Sequence, residues 1–194
     1  MPLRALGQRI REERLKRGVS LRALAREVGV SASMISQIET GKSQPSVSTL
    51  YAITSALAMS IEDVFHEPSP SPAPLLDILG PVVHPGQREM LRLDSGVTWE
   101  RLGELPGQPV DFLLVTYAPG GTSSSSGELM RHSGSEYGFL LRGGLVLTLG
   151  FDEVRLGPGD AISFDSTTPH GYRNDGAEPA VGVWFVIEQC LPAS

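Results

Sequence analysis

Two rhythms of hydrophobic and polar positions divide this chain. Up to residue 66 the spacing is helical. Leu3, Leu6 and Ile10 recur at intervals of three and four, which predicts one buried face of a first helix. Gly18 follows as a left-handed stop. Ser20 is placed to cap a second helix with Leu21, Leu24, Ala25 and Val28 inward, and Gly29 ends it. Ser31 caps a third helix carrying Met34, Ile35 and Ile38, closed by Thr40-Gly41. Pro45-Ser46 opens a fourth with Val47, Leu50, Ile53, Ala56 and Leu57. Ser60 caps a last short turn, Ile61 to His66.

After residue 75 the period changes to two. Leu145, Leu147, Leu149 and Phe151 alternate with Val146, Thr148 and Gly150. Val181, Val183, Phe185 and Ile187 alternate with Gly182, Trp184 and Val186. This predicts strands with one dry face, and Trp184 faces opposite to the Val181 series. Which of those two faces is core stays open. Turn signals recur at Pro119-Gly120-Gly121, Gly143-Gly144, Gly157-Pro158-Gly159-Asp160 and Asn174-Asp175-Gly176, the spacing of a β-sandwich or barrel. Between the two rhythms, Pro68, Pro70, Pro72 and Pro74 alternate with small residues and predict a stiff, extended linker. The expected organisation is therefore an all-α domain over 1–66, a linker over 67–75 and an all-β domain over 76–194: α+β by separate domains.

Composition adds limits. The chain has 194 residues, 40% hydrophobic and 20% charged, an ordinary globular balance. No run of about 18 apolar residues predicts a membrane helix. The first residues lack a signal-peptide core, and Cys190 is the single cysteine, expected to be an incidental half-buried thiol. These features point to the cytoplasm. The net charge of −6 conceals an asymmetry: about +3 over 1–66 and −9 over the rest. A basic end on an acidic chain suits a polyanion partner at that end only.

Two short helices around a tight glycine turn are a helix-turn-helix signal. The stretch Ser20-Leu21-Arg22-Ala23-Leu24-Ala25, Val28-Gly29-Val30-Ser31 and Ile35-Ser36-Gln37-Ile38-Glu39-Thr40-Gly41 resembles the phage-repressor-like, or XRE, family. The resemblance implies that the third helix enters the major groove of an operator. Ala32, Ser33, Ser36 and Gln37 face away from the core. Gln37 suits a bidentate bond to adenine, and Ala32 a thymine methyl. Ser31, Thr40, Lys42 and Ser43 suit phosphate contacts. For Arg14 and Glu39 the resemblance implies a partly buried ion pair, a structural role. Such modules bind two half-sites as dimers, so a homodimer on double-stranded DNA is expected.

In the second domain, His132-Ser133-Gly134-Ser135-Glu136 with Gly143 resembles the first cupin motif. Pro158-Gly159-Asp160, Pro169-His170 and Asn174 resemble the second. Leu91 to Leu102 is similar to the lead-in strands of cupins joined to helix-turn-helix domains. The resemblance implies a small double-stranded β-helix barrel, usually dimeric, with a ligand pocket in its mouth. A full cupin site has two His and a Glu from the first motif and a His from the second. Here Met130 takes the first His position, leaving His132, Glu136 and His170. Two imidazoles and a carboxylate suit facial binding of one divalent ion, with iron, zinc, manganese and nickel undistinguished. The same groups equally suit hydrogen bonding to an organic effector. Tyr172 shares the strand face of His170, and Met130 can line the site. Arg92, Arg101 and Tyr117 are further candidates for an acidic effector, against surface salt bridging. The Ser123–Ser126 run reads as a loop to which neither half of the chain gives a partner.

The combined architecture resembles the XRE–cupin transcriptional regulators. It implies an operator-binding head and a cupin that dimerises and senses a small molecule. The alternative is a mononuclear iron cupin enzyme resembling the hydroxypropylphosphonate epoxidases, which share the domain order and a two-His-one-Glu site. The basic face and recognition-helix pattern of the first domain favour the regulator.

Overall fold

The computed structural model describes residues 3–65, 82–105, 108 and 110–187. The proline-rich stretch and Cys190 lie outside the described residues, and so do the expectations attached to them.

The helical part contains α1 (Leu3–Lys16), α2 (Leu21–Val28), α3 (Ala32–Glu39), α4 (Val47–Ala56) and α5 (Ile61–Phe65). The predicted serines do the capping. Ser20, Ser31 and Ser46 accept from the amides of Ala23, Met34 and Thr49. Ser60 accepts from the Asp63 amide while Asp63 accepts from the Ser60 amide, a reciprocal pair. Leu6, Ile10, Leu24, Ile35, Ile38, Leu50 and Ile53 are fully buried around one centre. Met34, expected inward, is exposed. The inward positions of this eight-residue helix are Ile35, Ile38 and Glu39, and Met34 falls on the flank of that stripe.

Helix α1 crosses α3 very closely at Gly7, where an added Cβ would collide with the Ile38 carbonyl. A glycine inside a helix costs about 0.5–1 kcal/mol against alanine, and the close crossing is what it permits. About two turns further on, the Arg14 side chain reaches Glu39. Its Nε donates to Glu39 Oε1 and its Nη2 to Oε2 at 2.9 Å, while Nη1 donates to the Val19 carbonyl at 2.9 Å. This forked pair is buried and ties α1 and the turn after it to α3.

Among the described residues nine antiparallel strands follow: β1 (Met90–Leu93), β2 (Val97–Gly103), β3 (Val110–Tyr117), β4 (Ser135–Arg142), β5 (Leu145–Leu149), β6 (Asp152–Leu156), β7 (Ala161–Asp165), β8 (His170–Arg173) and β9 (Ala180–Ile187). They form a six-stranded sheet, β1-β2-β3-β9-β4-β7, and a three-stranded sheet, β6-β5-β8. This is the cupin double sheet. Strand β5 ends at Leu149, and Phe151 lies in the following turn, fully exposed. On β9 the structure settles the open alternation. Trp184 and Val186 point inward, and Phe185 and Ile187 point out. The Trp184 ring needs bare backbone beside it: a Cβ on Gly138 would meet its Cε2 at 2.9 Å.

The two parts touch. The Ser48 amide donates to the Ser123 carbonyl and the Asp94 amide to the Pro45 carbonyl, each at 2.9 Å. The Arg101 guanidinium lies over the Phe65 ring of α5, 5.7 Å from its centre.

Arg14→Ala is expected to destabilise the helical domain by about 3–5 kcal/mol, because Glu39 stays buried without its cation. Urea unfolding followed by far-ultraviolet circular dichroism checks this, and an unchanged midpoint would count against the pair as a support of the domain.

Candidate functional site

On the helical domain, α3 leaves Ser31, Ser33, Met34, Gln37 and Thr40 exposed, with Ala32 and Ser36 at its margins. Ser31 is held as the N-cap, so its backbone already sits at the positive end of the helix. The Thr40 hydroxyl donates to the Ser36 carbonyl at 2.8 Å. The Lys42 and Ser43 amides donate to the Gln37 carbonyl at 2.8 and 3.3 Å, folding that loop against the end of α3. The Gln37 side chain stands in solvent between these anchored ends. Met34 was not among the expected contacts; its exposure on this face adds an apolar group beside Gln37.

In the barrel, the two cupin motifs are stitched together by backbone. Met130 and His170 exchange amide-to-carbonyl bonds at 2.9 and 3.0 Å, and the His132 amide donates to Ser166 at 3.1 Å. This brings His132, Glu136 and His170 together, all buried. Glu136 Oε1 lies 2.8 Å from His132 Nε2. It lies 2.9 Å from His170 Nε2, but off the line a hydrogen bond needs, so that buried nitrogen makes none. His170 Nδ1 faces the Thr168 carbonyl at 2.8 Å and His132 Nδ1 the Ser133 carbonyl at 3.3 Å. Each ring can place an Nδ1 proton on its carbonyl and turn an Nε2 lone pair toward the centre, as an ion requires; with the proton on Nε2 instead, His132 donates to Glu136. The other carboxylate oxygen accepts from the Tyr172 hydroxyl at 2.8 Å, which accepts in turn from Trp184 Nε1 at 3.3 Å.

Burial pushes the Glu136 carboxyl up, but His132, its hydrogen-bond partner, and the close approach of His170 outweigh it and bring the group to about 2. Burial, and then the Glu136 charge, push the Tyr172 and Tyr117 phenols well above their ordinary value. The centre is an ionised carboxylate beside neutral phenols. Two imidazole nitrogens and a carboxylate oxygen, with one nitrogen orphaned, fit a divalent ion in donor type and direction.

Through Glu136 the triad reaches a cavity of about 20 Å³. Tyr117, Met130, Tyr172 and Trp184 line it from the barrel. Val47 and Tyr51 line it from α4 of the helical domain. The Tyr51 ring stacks on His132, 4.0 Å between centres and nearly parallel, and meets Trp99 edge-on at 5.8 Å.

Not all expected site residues gather here. Arg92 is exposed on β1. Arg101 is buried but pairs with Glu104 at 2.7 Å and Glu89 at 3.6 Å, away from the cavity. The neighbouring carboxylates on its own hairpin capture it. The serine run does have a partner: Ser123 takes the Ser48 amide on its carbonyl and the Tyr172 amide on its hydroxyl. Asn174 of the second motif is structural, donating to the Tyr117 and Glu178 carbonyls at 3.0 and 2.8 Å. Tyr51 was the contributor missed. Helix α4 buries Val47, Leu50, Tyr51, Ile53 and Thr54, a stripe wider than one core requires, and that width was the available signal.

A repressor-like head on a cupin barrel defines a helix-turn-helix regulator with a C-terminal cupin domain. A helix-turn-helix family model matches residues 10–64 and a cupin-domain model residues 113–186. The HTH-type transcriptional regulator PuuR of Escherichia coli (strain K12) is 30% identical over 192 residues, covering 98% of this chain and 96% of that protein. The HTH-type transcriptional regulator SutR of the same organism is 26% identical over 175 residues, 90% of each chain. The crystal structure of an HTH_3 family transcriptional regulator from Vibrio cholerae superposes with a TM-score of 0.69 at 25% identity, over 98% of both chains. The chain belongs to the family of HTH-type transcriptional regulators with a cupin domain, and it is a DNA-binding regulator of transcription. No helix among the described residues is long and apolar enough to cross a membrane.

Tyr172→Phe is expected to lower stability by about 1–3 kcal/mol, since it leaves Glu136 Oε2 and Trp184 Nε1 buried without their partner. A fall in the melting temperature of the full chain, with far-ultraviolet signal unchanged at low temperature, checks it.

Proposed function

We propose that this regulator senses a small molecule in its cupin domain and adjusts operator binding accordingly. The observation that carries the reading is the buried His132–Glu136–His170 triad at the edge of an apolar cavity. A charged cluster inside a barrel weakens it unless fully compensated, and DNA binding makes no use of it. A ligand-sensing role gives it a purpose. The protein works in the cytoplasm as a homodimer, with the head over 1–66, the linker over 67–75 and the sensor over 76–194. The outer face of the six-stranded sheet offers the second copy an apolar surface: Tyr137, Phe139, Leu141, Phe185 and Ile187 are exposed there, and Phe112 stacks on Phe185.

On DNA, Ala32, Ser33, Ser36 and Gln37 meet base edges, and Ser31, Thr40, Lys42 and Ser43 meet phosphates. Genome-fragment selection with purified protein, followed by footprinting at two salt concentrations, is expected to recover a two-fold site whose protection falls steeply with salt. Gln37→Ala should cost about 1–3 kcal/mol on that site and relax one base position. Lys42→Ala should weaken all sequences alike and reduce the salt slope by about one. No enriched site at low salt would move the weight to catalysis, and oxygen consumption by the iron-loaded protein would then test the enzyme alternative.

In the sensor, His132, Glu136 and His170 would hold one divalent ion, which would supply a Lewis-acid centre for an effector. Met130, Tyr117 and Tyr172 shape the space around it. Dialysed protein titrated with Co²⁺ alone should take up one ion per chain and develop visible absorption. His132→Ala with His170→Ala should abolish this. Wild-type protein that takes up no divalent ion would leave the triad as a hydrogen-bonding site for an organic effector.

A further inference from the structure

One wall of the cavity beside the triad is Tyr51, a residue of the DNA-binding domain. We propose that Tyr51 couples the two domains: a ligand that fills the cupin cavity must lift the Tyr51 ring from His132. That movement unfastens the head from the barrel and weakens operator binding. This rests on the sensor reading above and adds to it a mechanism, a residue and a sign.

Space is the first argument. A cavity of about 20 Å³ holds roughly one water molecule, whereas small-molecule pockets are typically ~300–1,000 Å³. An organic ligand therefore enters only if a wall moves. The barrel walls are hydrogen-bonded strands. The α4 wall belongs to another domain and rests on the barrel through side-chain packing and isolated bonds.

The second argument is where the fastenings lie. The Tyr51–His132 stack, the Ser48–Ser123 bond, the Asp94–Pro45 bond and the Phe65–Arg101 contact all involve α4, the loop before it, or α5. None involves the exposed face of α3. The docked head therefore keeps Ser33, Met34 and Gln37 free for DNA, with its orientation fixed by the barrel. In a dimer, two docked heads have a set spacing, and the second half-site is engaged at high effective concentration. Released heads on tethers lose that advantage. Docked is the strong-binding state, and a cavity ligand favours the released one.

The chain supplies its own reporter. It has two tryptophans, Trp99 and Trp184, and both line this cavity. The test uses full-length protein, acrylamide as a tryptophan quencher, the selected operator, and a duplex carrying one half-site. Tyr51→Ala removes the ring, and Tyr51→Leu does so while keeping apolar volume in the helix; circular dichroism confirms that the variants fold. Quenching is expected to rise in both variants. Affinity for the two-fold operator should fall about tenfold, with half-site affinity unchanged. Unchanged quenching would overturn Tyr51 as the seal. Raised quenching with unchanged operator affinity would overturn the coupling. Equal losses on operator and half-site would place the effect in the head itself and overturn it too. Wild-type protein that binds neither duplex would overturn the regulator reading and the coupling with it, whereas quenching would still report the seal.

Discussion

A carboxylate inside a β-barrel is expensive, and much of this barrel is arranged around keeping Glu136 ionised. Moving such a charge out of water costs several kcal/mol even after relaxation. Here the cost is met from four directions. His132 and His170 approach one oxygen, Tyr172 donates to the other, and Trp184 supports Tyr172 from behind. Each partner is in turn fixed by backbone: His170 by its bridge to Met130, Tyr172 by the Ser123 hydroxyl, Trp184 by the bare backbone of Gly138. The cupin motifs are therefore as much a device for holding one anion as for holding a ligand. The residues that satisfy the anion are also the ones a ligand or ion would meet.

The same chain of contacts leaves the barrel through His132. Its ring is pinned on one edge by Glu136 and covered on one face by Tyr51. Helix α4 is thereby buried on two sides, against α2 within the head and against the cavity. The consequence is that the head has no private core boundary: Val47 and Tyr51 are wall residues of the barrel cavity, while Leu50 and Ile53 are core residues of the head. A change at the triad has a short physical route to the DNA-binding domain, through side chains in direct contact.

How legible this was in the sequence depended on how local the signal was. The five helices follow from capping serines and apolar intervals, because both act within a few residues. The triad was visible because two motifs carry its members at set spacing, and the strands bring those motifs together. Arg92 and Arg101 show the limit. Residue type alone proposed them for an acidic ligand, but Arg101 finds Glu104 three residues away, and nearby charge wins over distant charge. Tyr51 and Ser123 were missed for the opposite reason. Their partners lie in the other domain, and no pattern within one domain announces a contact across the boundary. The excess width of the buried stripe on α4 was the trace it left.

Magnitudes decide whether such a contact can serve as a switch. A lid held as strongly as a core could not be opened by a ligand, and a lid held by nothing would transmit nothing. An aromatic stack contributes about 0.5–1.5 kcal/mol beyond its buried area, and a backbone hydrogen bond a net ~0.5–1.5 kcal/mol. A cation over a ring adds about 2 kcal/mol where both groups are desolvated, as Arg101 and Phe65 are. The two aromatic contacts of Tyr51, two hydrogen bonds and one cation–ring contact between head and barrel therefore amount to several kcal/mol beyond buried area, before the entropy of docking is subtracted. The coupling energies of allosteric proteins are about 1–3 kcal/mol. The fastening is strong enough to set the orientation of the head and weak enough for differential ligand binding to release it. A larger, drier interface would have fused the two domains into one, and a ligand in the barrel would have had nothing to move.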